Sequence, residues 1–141
     1  DGKYIFASGG YPKRETWCWL ADGSGKLVWK NSVRTYVPSL LVLTNHLFTV
    51  TDDGIAYLWK KETGEEVWSA RIGGNYSASP ITSNGRIYFF SEEGKATIIV
   101  AGPEFKKLAV NQLDTGFMAS PAVHGDALIL RTKSHLYRIG N

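Results

Sequence analysis

Tyr76-Ser77-Ala78-Ser79-Pro80 recurs 41 residues later as Phe117-Met118-Ala119-Ser120-Pro121, and Tyr36-Val37-Pro38-Ser39, 42 residues before Pro80, is a weaker copy. A period of roughly 20 to 50 residues marks a repeat architecture, so this spacing decides the fold class. Each anchor leads into a short apolar stretch, a turn and a β-type run. The first copy reads Leu40-Leu41-Val42, Asn45-His46, Leu47 to Val50; the second Ile81-Thr82, Asn84-Gly85, Ile87 to Phe90; the third Ala122-Val123, Gly125-Asp126, Ala127 to Leu130. Asp52-Asp53-Gly54 and Glu92-Glu93-Gly94 follow, the turn chemistry expected between antiparallel strands. They open the runs Ile55 to Trp59 and Ala96 to Val100, and Glu66-Val67-Trp68-Ser69 after Thr63-Gly64 is a fourth. No stretch repeats every 3.6 residues. Four short strands per period describe the blade of an all-β propeller.

The ends are incomplete in this frame. Tyr4 to Ala7, Thr16 to Leu20 and Leu27 to Trp29 match the second, third and fourth strands of a blade, whereas the final segment supplies the first three and ends after His135 to Ile139. The expected blades are residues 1–37 without a first strand, 38–79, 80–120, and 121–141 without a fourth strand, about three and a half in all. A partial ring leaves blade faces and strand edges uncovered. The expectation is therefore the C-terminal part of a larger propeller, with a protein partner or self-association through open blade edges.

Composition narrows the function classes. The 16 basic and 13 acidic side chains leave a net charge of +3, too small a surplus for a nucleic-acid surface. Lys13-Arg14, Lys60-Lys61 and Lys106-Lys107 each lie beside a glutamate, as on a solvated surface. With the single Cys18 there is no internal disulfide and no cysteine-rich zinc site. No 18-residue apolar run offers a transmembrane segment. The chain opens on Asp1 without a targeting segment, either because one has been removed or because the chain is a piece of something longer.

Asp53-Gly54, the run Ile55 to Trp59, Thr63-Gly64, and Trp68 four residues after that Gly resemble the repeat of the pyrroloquinoline-quinone-like (PQQ-like) propeller family. Gly25-Lys26-Leu27-Val28-Trp29 repeats the tail with the same offset. The resemblance implies that Trp29 and Trp68 dock between adjacent blades. The third segment departs, with Ala109 for the Trp and Phe105 for the Gly. The family comprises quinoprotein dehydrogenases, which hold PQQ and Ca²⁺, and non-enzymatic exported propellers that act as scaffolds or sensors.

A quinone enzyme of the alcohol dehydrogenase kind implies vicinal cysteines and a Glu/Asn/Asp set on Ca²⁺, and neither pattern occurs here. Gly23-Ser24-Gly25-Lys26 lacks the Ser or Thr that a phosphate loop needs after its Lys. His46 and His124 read as equivalent rim turn residues, and His135 has no carboxylate near it in sequence. Asn75-Tyr76-Ser77 has the pattern of a glycosylation acceptor and reads as an inter-blade loop. No catalytic, cofactor or metal residue is therefore assigned. The long loop from Ser8 to Glu15 is the candidate partner-contact surface, through Tyr11, Lys13 and Arg14 with Trp17 and Trp19 on the next strand. The expected function is a non-catalytic segment of an exported, periplasmic or extracellular bacterial protein, serving as an interaction or scaffold module without cofactor. The alternatives are a fragment of a PQQ- and Ca²⁺-dependent dehydrogenase, or a carbohydrate-binding propeller using Tyr11 and Trp17 or Trp19.

Overall fold

The structure is a computed structural model that describes residues 1–9, 12–113 and 115–140. The described residues form fourteen strands in four antiparallel sheets and no helix, so none is long and apolar enough to cross a membrane. Blade 1 comprises β1 (Tyr4–Gly9), β2 (Glu15–Leu20) and β3 (Leu27–Asn31). Blade 2 comprises β4 (Leu41–Leu43), β5 (His46–Val50), β6 (Ile55–Lys60) and β7 (Glu66–Arg71). Blade 3 comprises β8 (Ile81–Ser83), β9 (Arg86–Phe90), β10 (Lys95–Val100) and β11 (Lys107–Gln112). Blade 4 comprises β12 (Ala122–His124), β13 (Ala127–Arg131) and β14 (Leu136–Ile139). Each sheet is a meander in chain order. This is a partial β-propeller.

Strand alternation explains the packing. Successive side chains point to opposite faces, and in blades 2 and 3 both faces are apolar because each lies against a neighbour. Leu47 and Trp59 meet Tyr4, Cys18 and Trp29 of blade 1, while Phe48, Val50, Ala56 and Leu58 on the other face meet Ile87, Phe89 and Ile99 of blade 3. Phe90 meets Phe117 and Leu130 between blades 3 and 4. Three apolar layers between four sheets thus replace a single central core.

The first strands are tied to one another near their starts. Ser39 N donates to Ser79 Oγ and Ser79 N donates to Ser120 Oγ, both at 2.9 Å. Ser39 therefore stands level with Ser79 and Ser120, and Pro38 lies two places earlier than its expected match with Pro80. This phase also separates two histidines expected to be equivalent: His46 begins β5, whereas His124 ends β12.

In blades 1 to 3 the outer strand carries one extra residue at the same place. Pairing shifts between Cys18 and Trp19, between Leu58 and Trp59, and between Ile98 and Ile99, leaving Val28, Val67 and Leu108 as the inserted residues. The bulge has a purpose. Leu27 opposes Trp19 on one face, and the insertion swings Trp29 to oppose Cys18 on the other, toward blade 2.

Candidate interaction surfaces

The Trp sites of the outer strands join the blades. Trp29 is 8% exposed, and its Nε1 donates to Lys61 O at 2.8 Å. Its ring lies flat on Gly64, where a Cβ would stand 2.6 Å from the ring; with φ at +71° that position favours glycine twice over. Trp68 is only partly buried. Its Nε1 donates to Gly102 O at 3.3 Å, and its ring meets Phe105 edge-on, with centroids 5.2 Å apart and planes at 67°. Phe105 occupies the place of Gly64, so the indole meets a steeply inclined aromatic ring there instead of bare backbone.

The acidic turns hold the crossings between blades. Asp52 Oδ1 accepts from Tyr36 N at 3.1 Å and Val37 N at 3.3 Å. Ser77 Oγ donates to Glu92, while the Asn75 side chain donates to Glu93 Oε1 at 2.8 Å. Thr51 donates to Asp53 at 2.7 Å and holds its carboxyl below the ordinary value. Burial pushes Glu93 up, but the hydrogen bonds from Ser91 and Asn75 outweigh it and leave the carboxyl lowered. The turns are legible in the sequence but this role is not, because the partners lie 15 to 18 residues away.

Two other kinds of polar group are also occupied. Buried Thr16 donates to Val33 O at 2.7 Å, and buried Thr35 and Thr49 share a hydrogen bond of 2.9 Å. Lys60 pairs with Glu65 at 2.8 Å and Lys61 with Asp1 at 2.7 Å.

The candidate contact residues divide between two sides of blade 1. Tyr11 lies outside the described residues. Lys13 is exposed, and Arg14 lines a cleft of about 480 Å³ with Asp52, Asp53 and Tyr57 at the blade 1 and blade 2 rim. Trp17 and Trp19 are on the opposite face, turned away from blade 2, where they stack with centroids 5.8 Å apart and the Trp17 ring covers Gly9. The structure does not bring Arg14 to that face.

Blade 2 shows what this face resembles. Tyr57 and Trp59 stack in the same way at 5.3 Å, and Ile5 and Trp19 correspond by register to Leu47 and Trp59. Those two are 0% and 1% exposed beneath blade 1, whereas Ile5 is 54% exposed. The outward face of blade 4 differs. Arg131 and Arg138 stand there at the register positions of Val50 and Leu58. The outward face of blade 1 has the chemistry of a blade joint, whereas that of blade 4 sets Arg131 and Arg138 beside Leu136 and Ile129.

The donor set does not fit a quinone and Ca²⁺ site. Among the described residues no three His, Cys, Asp or Glu side chains converge as metal ligands. The first strands carry Leu41-Val42-Leu43, Ile81-Thr82-Ser83 and Ala122-Val123-His124, without a carboxylate. Burial pushes the Cys18 thiol up to about 11, which leaves it protonated at neutral pH.

Residues 13–136 match the family model described as outer membrane protein assembly factor BamB. BamB from Moraxella catarrhalis has a similar structure, with a TM-score of 0.79 and 17% identity over 99% of this chain and 42% of that one. Quinohemoprotein alcohol dehydrogenase ADHIIG from Pseudomonas putida HK5 gives 0.74, at 14% identity over 92% of this chain and 27% of that one. A europium-containing methanol dehydrogenase gives 0.67, at 12% identity over 79% and 23%. The chain thus spans less than half the length of these structures. No curated protein sequence matches it.

Proposed function

The chain belongs to the PQQ-like propeller-repeat family, and from that premise we propose that it is a non-catalytic interaction or scaffold module of an exported bacterial protein, periplasmic or extracellular. One observation carries this reading: the polar groups that recur from blade to blade are spent on holding blades together. The Ser39, Ser79 and Ser120 ties, the acidic turns on the inter-blade crossings and the indole contacts all serve the arc itself. The apolar face of blade 1 turned away from blade 2, with Ile5, Trp17 and Trp19, suits a further blade or a protein partner. The family description, an assembly factor, supports the same reading.

The quinoprotein dehydrogenases among the similar structures define the competing reading. Supplying the chain with PQQ and Ca²⁺ and following dye-linked oxidation of alcohols and sugars separates the two. The expected result is no turnover above that of free quinone. Oxidation that depends on the chain would overturn the proposal.

A further inference from the structure

The first two joints differ where the turn of one blade meets the crossing from the blade before it. At the joint between blades 2 and 3, Glu93 reaches the crossing and accepts from Asn75 N at 3.1 Å. A Cβ on Gly74 would stand 2.7 Å from the Glu93 carboxylate, so turn and crossing are in contact. At the joint between blades 1 and 2, Asp53 is one methylene shorter and accepts from Thr51 of its own turn. Counting from the pairs Cys18–Trp29 and Leu58–Trp68, Arg14 and Arg34 stand at the positions of Gly54 and Gly73. In blade 2 a Cβ on Gly54 would stand 2.7 Å from the Gly73 carbonyl carbon, so those two segments close on each other only as glycines. Arginines in their place keep the segments apart, and the cleft of about 480 Å³ lies there. Its walls come from blades 1 and 2 and the crossing that joins them, all within the chain. We infer that this cleft is a binding site for a neutral saccharide, whose hydroxyls bridge the Arg14 guanidinium and the Asp52 and Asp53 carboxylates.

Charge narrows the ligand first. Arg14 and Arg34 balance Asp52 and Asp53 in the lining, so the cleft offers no net field to a simple anion or cation. It offers donors and acceptors side by side, which suits vicinal hydroxyls because each of them both donates and accepts. The acceptors are already fixed. Asp52 Oδ1 accepts from Tyr36 N and Val37 N, and Asp53 Oδ1 accepts from Thr51; Oδ2 of each makes no hydrogen bond among the described residues. Carboxylates held in place before binding lose little freedom when a ligand arrives. Arg14 is exposed and has no hydrogen bond or ion pair to a described residue, so its guanidinium supplies the donors.

Tyr57 and Ile55 complete the lining. Tyr57 is partly buried and fixed by its stack on Trp59, with centroids 5.3 Å apart, and with Ile55 it gives apolar surface for the C–H groups of a sugar ring. The volume lies within the range of roughly 300 to 1,000 Å³ typical of small-ligand sites. This site goes beyond the interaction-module reading and does not depend on it.

The test is amide NMR of the isotope-labelled 141-residue chain, titrated separately with glucose, galactose, mannose and N-acetylglucosamine, and with inorganic phosphate and glycine as charged comparators. The expected result is saturable shifts at Ser32, Ile55 and Tyr57 with at least one of the sugars, and weaker binding of phosphate and glycine. Arg14→Ala, at an exposed position, should weaken the sugar about tenfold or more, and Asp53→Asn should weaken it as well. No saturable shift with any of the sugars would overturn the inference. So would tighter binding of phosphate or glycine, shifts centred on Trp17 and Trp19 on the other face of blade 1, or sugar binding that Arg14→Ala leaves unchanged. No quinone is present in this titration, so its outcome is separate from that of the oxidation experiment.

Discussion

The joint between blades 1 and 2 and the joint between blades 2 and 3 use the same Trp in different ways. At the first, Trp29 lies flat on Gly64 and makes a 2.8 Å hydrogen bond. At the second, Trp68 stands against Phe105 with a 3.3 Å bond and remains partly exposed. One residue accounts for the difference. A glycine opens the backbone to the face of an indole, and a phenylalanine in its place puts a steeply inclined ring there instead. The second joint compensates from within its own blade, where Phe48 packs edge-on against Trp68 at 6.1 Å.

Breaking the first joint should have the larger effect. Trp29→Ala removes a buried ring and should cost about 3–5 kcal/mol, measured by urea denaturation with intrinsic fluorescence. Gly64→Ala should come next, at roughly 2–4 kcal/mol, since it adds a left-handed backbone penalty to displacement of the ring. Trp68→Ala should cost less, about 1–3 kcal/mol, because the ring is only partly buried. If Trp68→Ala cost as much as Trp29→Ala, the two joints would be equivalent and the role assigned to Gly64 would fail.

The smallest effect belongs to the acidic ties. Asp53 and Glu93 have lowered carboxyls, so their contribution is fully present above the ordinary carboxylate range and is lost as pH falls through the folded-state values. Stability should therefore fall with acid below about pH 4.5, the upper end of the unfolded carboxylate values. Glu93→Gln should flatten part of that fall in denaturation curves recorded from pH 6 to 3, through the crossing at Asn75 between blades 2 and 3. An unchanged slope would remove the carboxylate from the account.

Much of the fold is legible in the sequence because turns and runs recur at nearly constant spacing. The runs Ile87 to Phe90 and Ala127 to Leu130 lie within β9 and β13. Phase is harder to read. Pro38 looks like the match of Pro80, but proline has no backbone N–H to give, and the ties run through the N–H groups of Ser39 and Ser79. The bulges leave no distinct signature either, since Val28, Val67 and Leu108 are ordinary strand residues. For the contact surface, alternation already separates Arg14 from Trp17 and Trp19.

The inserted residues of the outer strands have a consequence for the periphery of the arc. A straight outer strand with Val28 or Leu108 facing solvent would be a template for pairing with another molecule, edge to edge. The insertion bends each of these strands and interrupts the even row of amide and carbonyl groups that such pairing needs. The same bend that aims an indole inward keeps the rim of the molecule from nucleating intermolecular sheets.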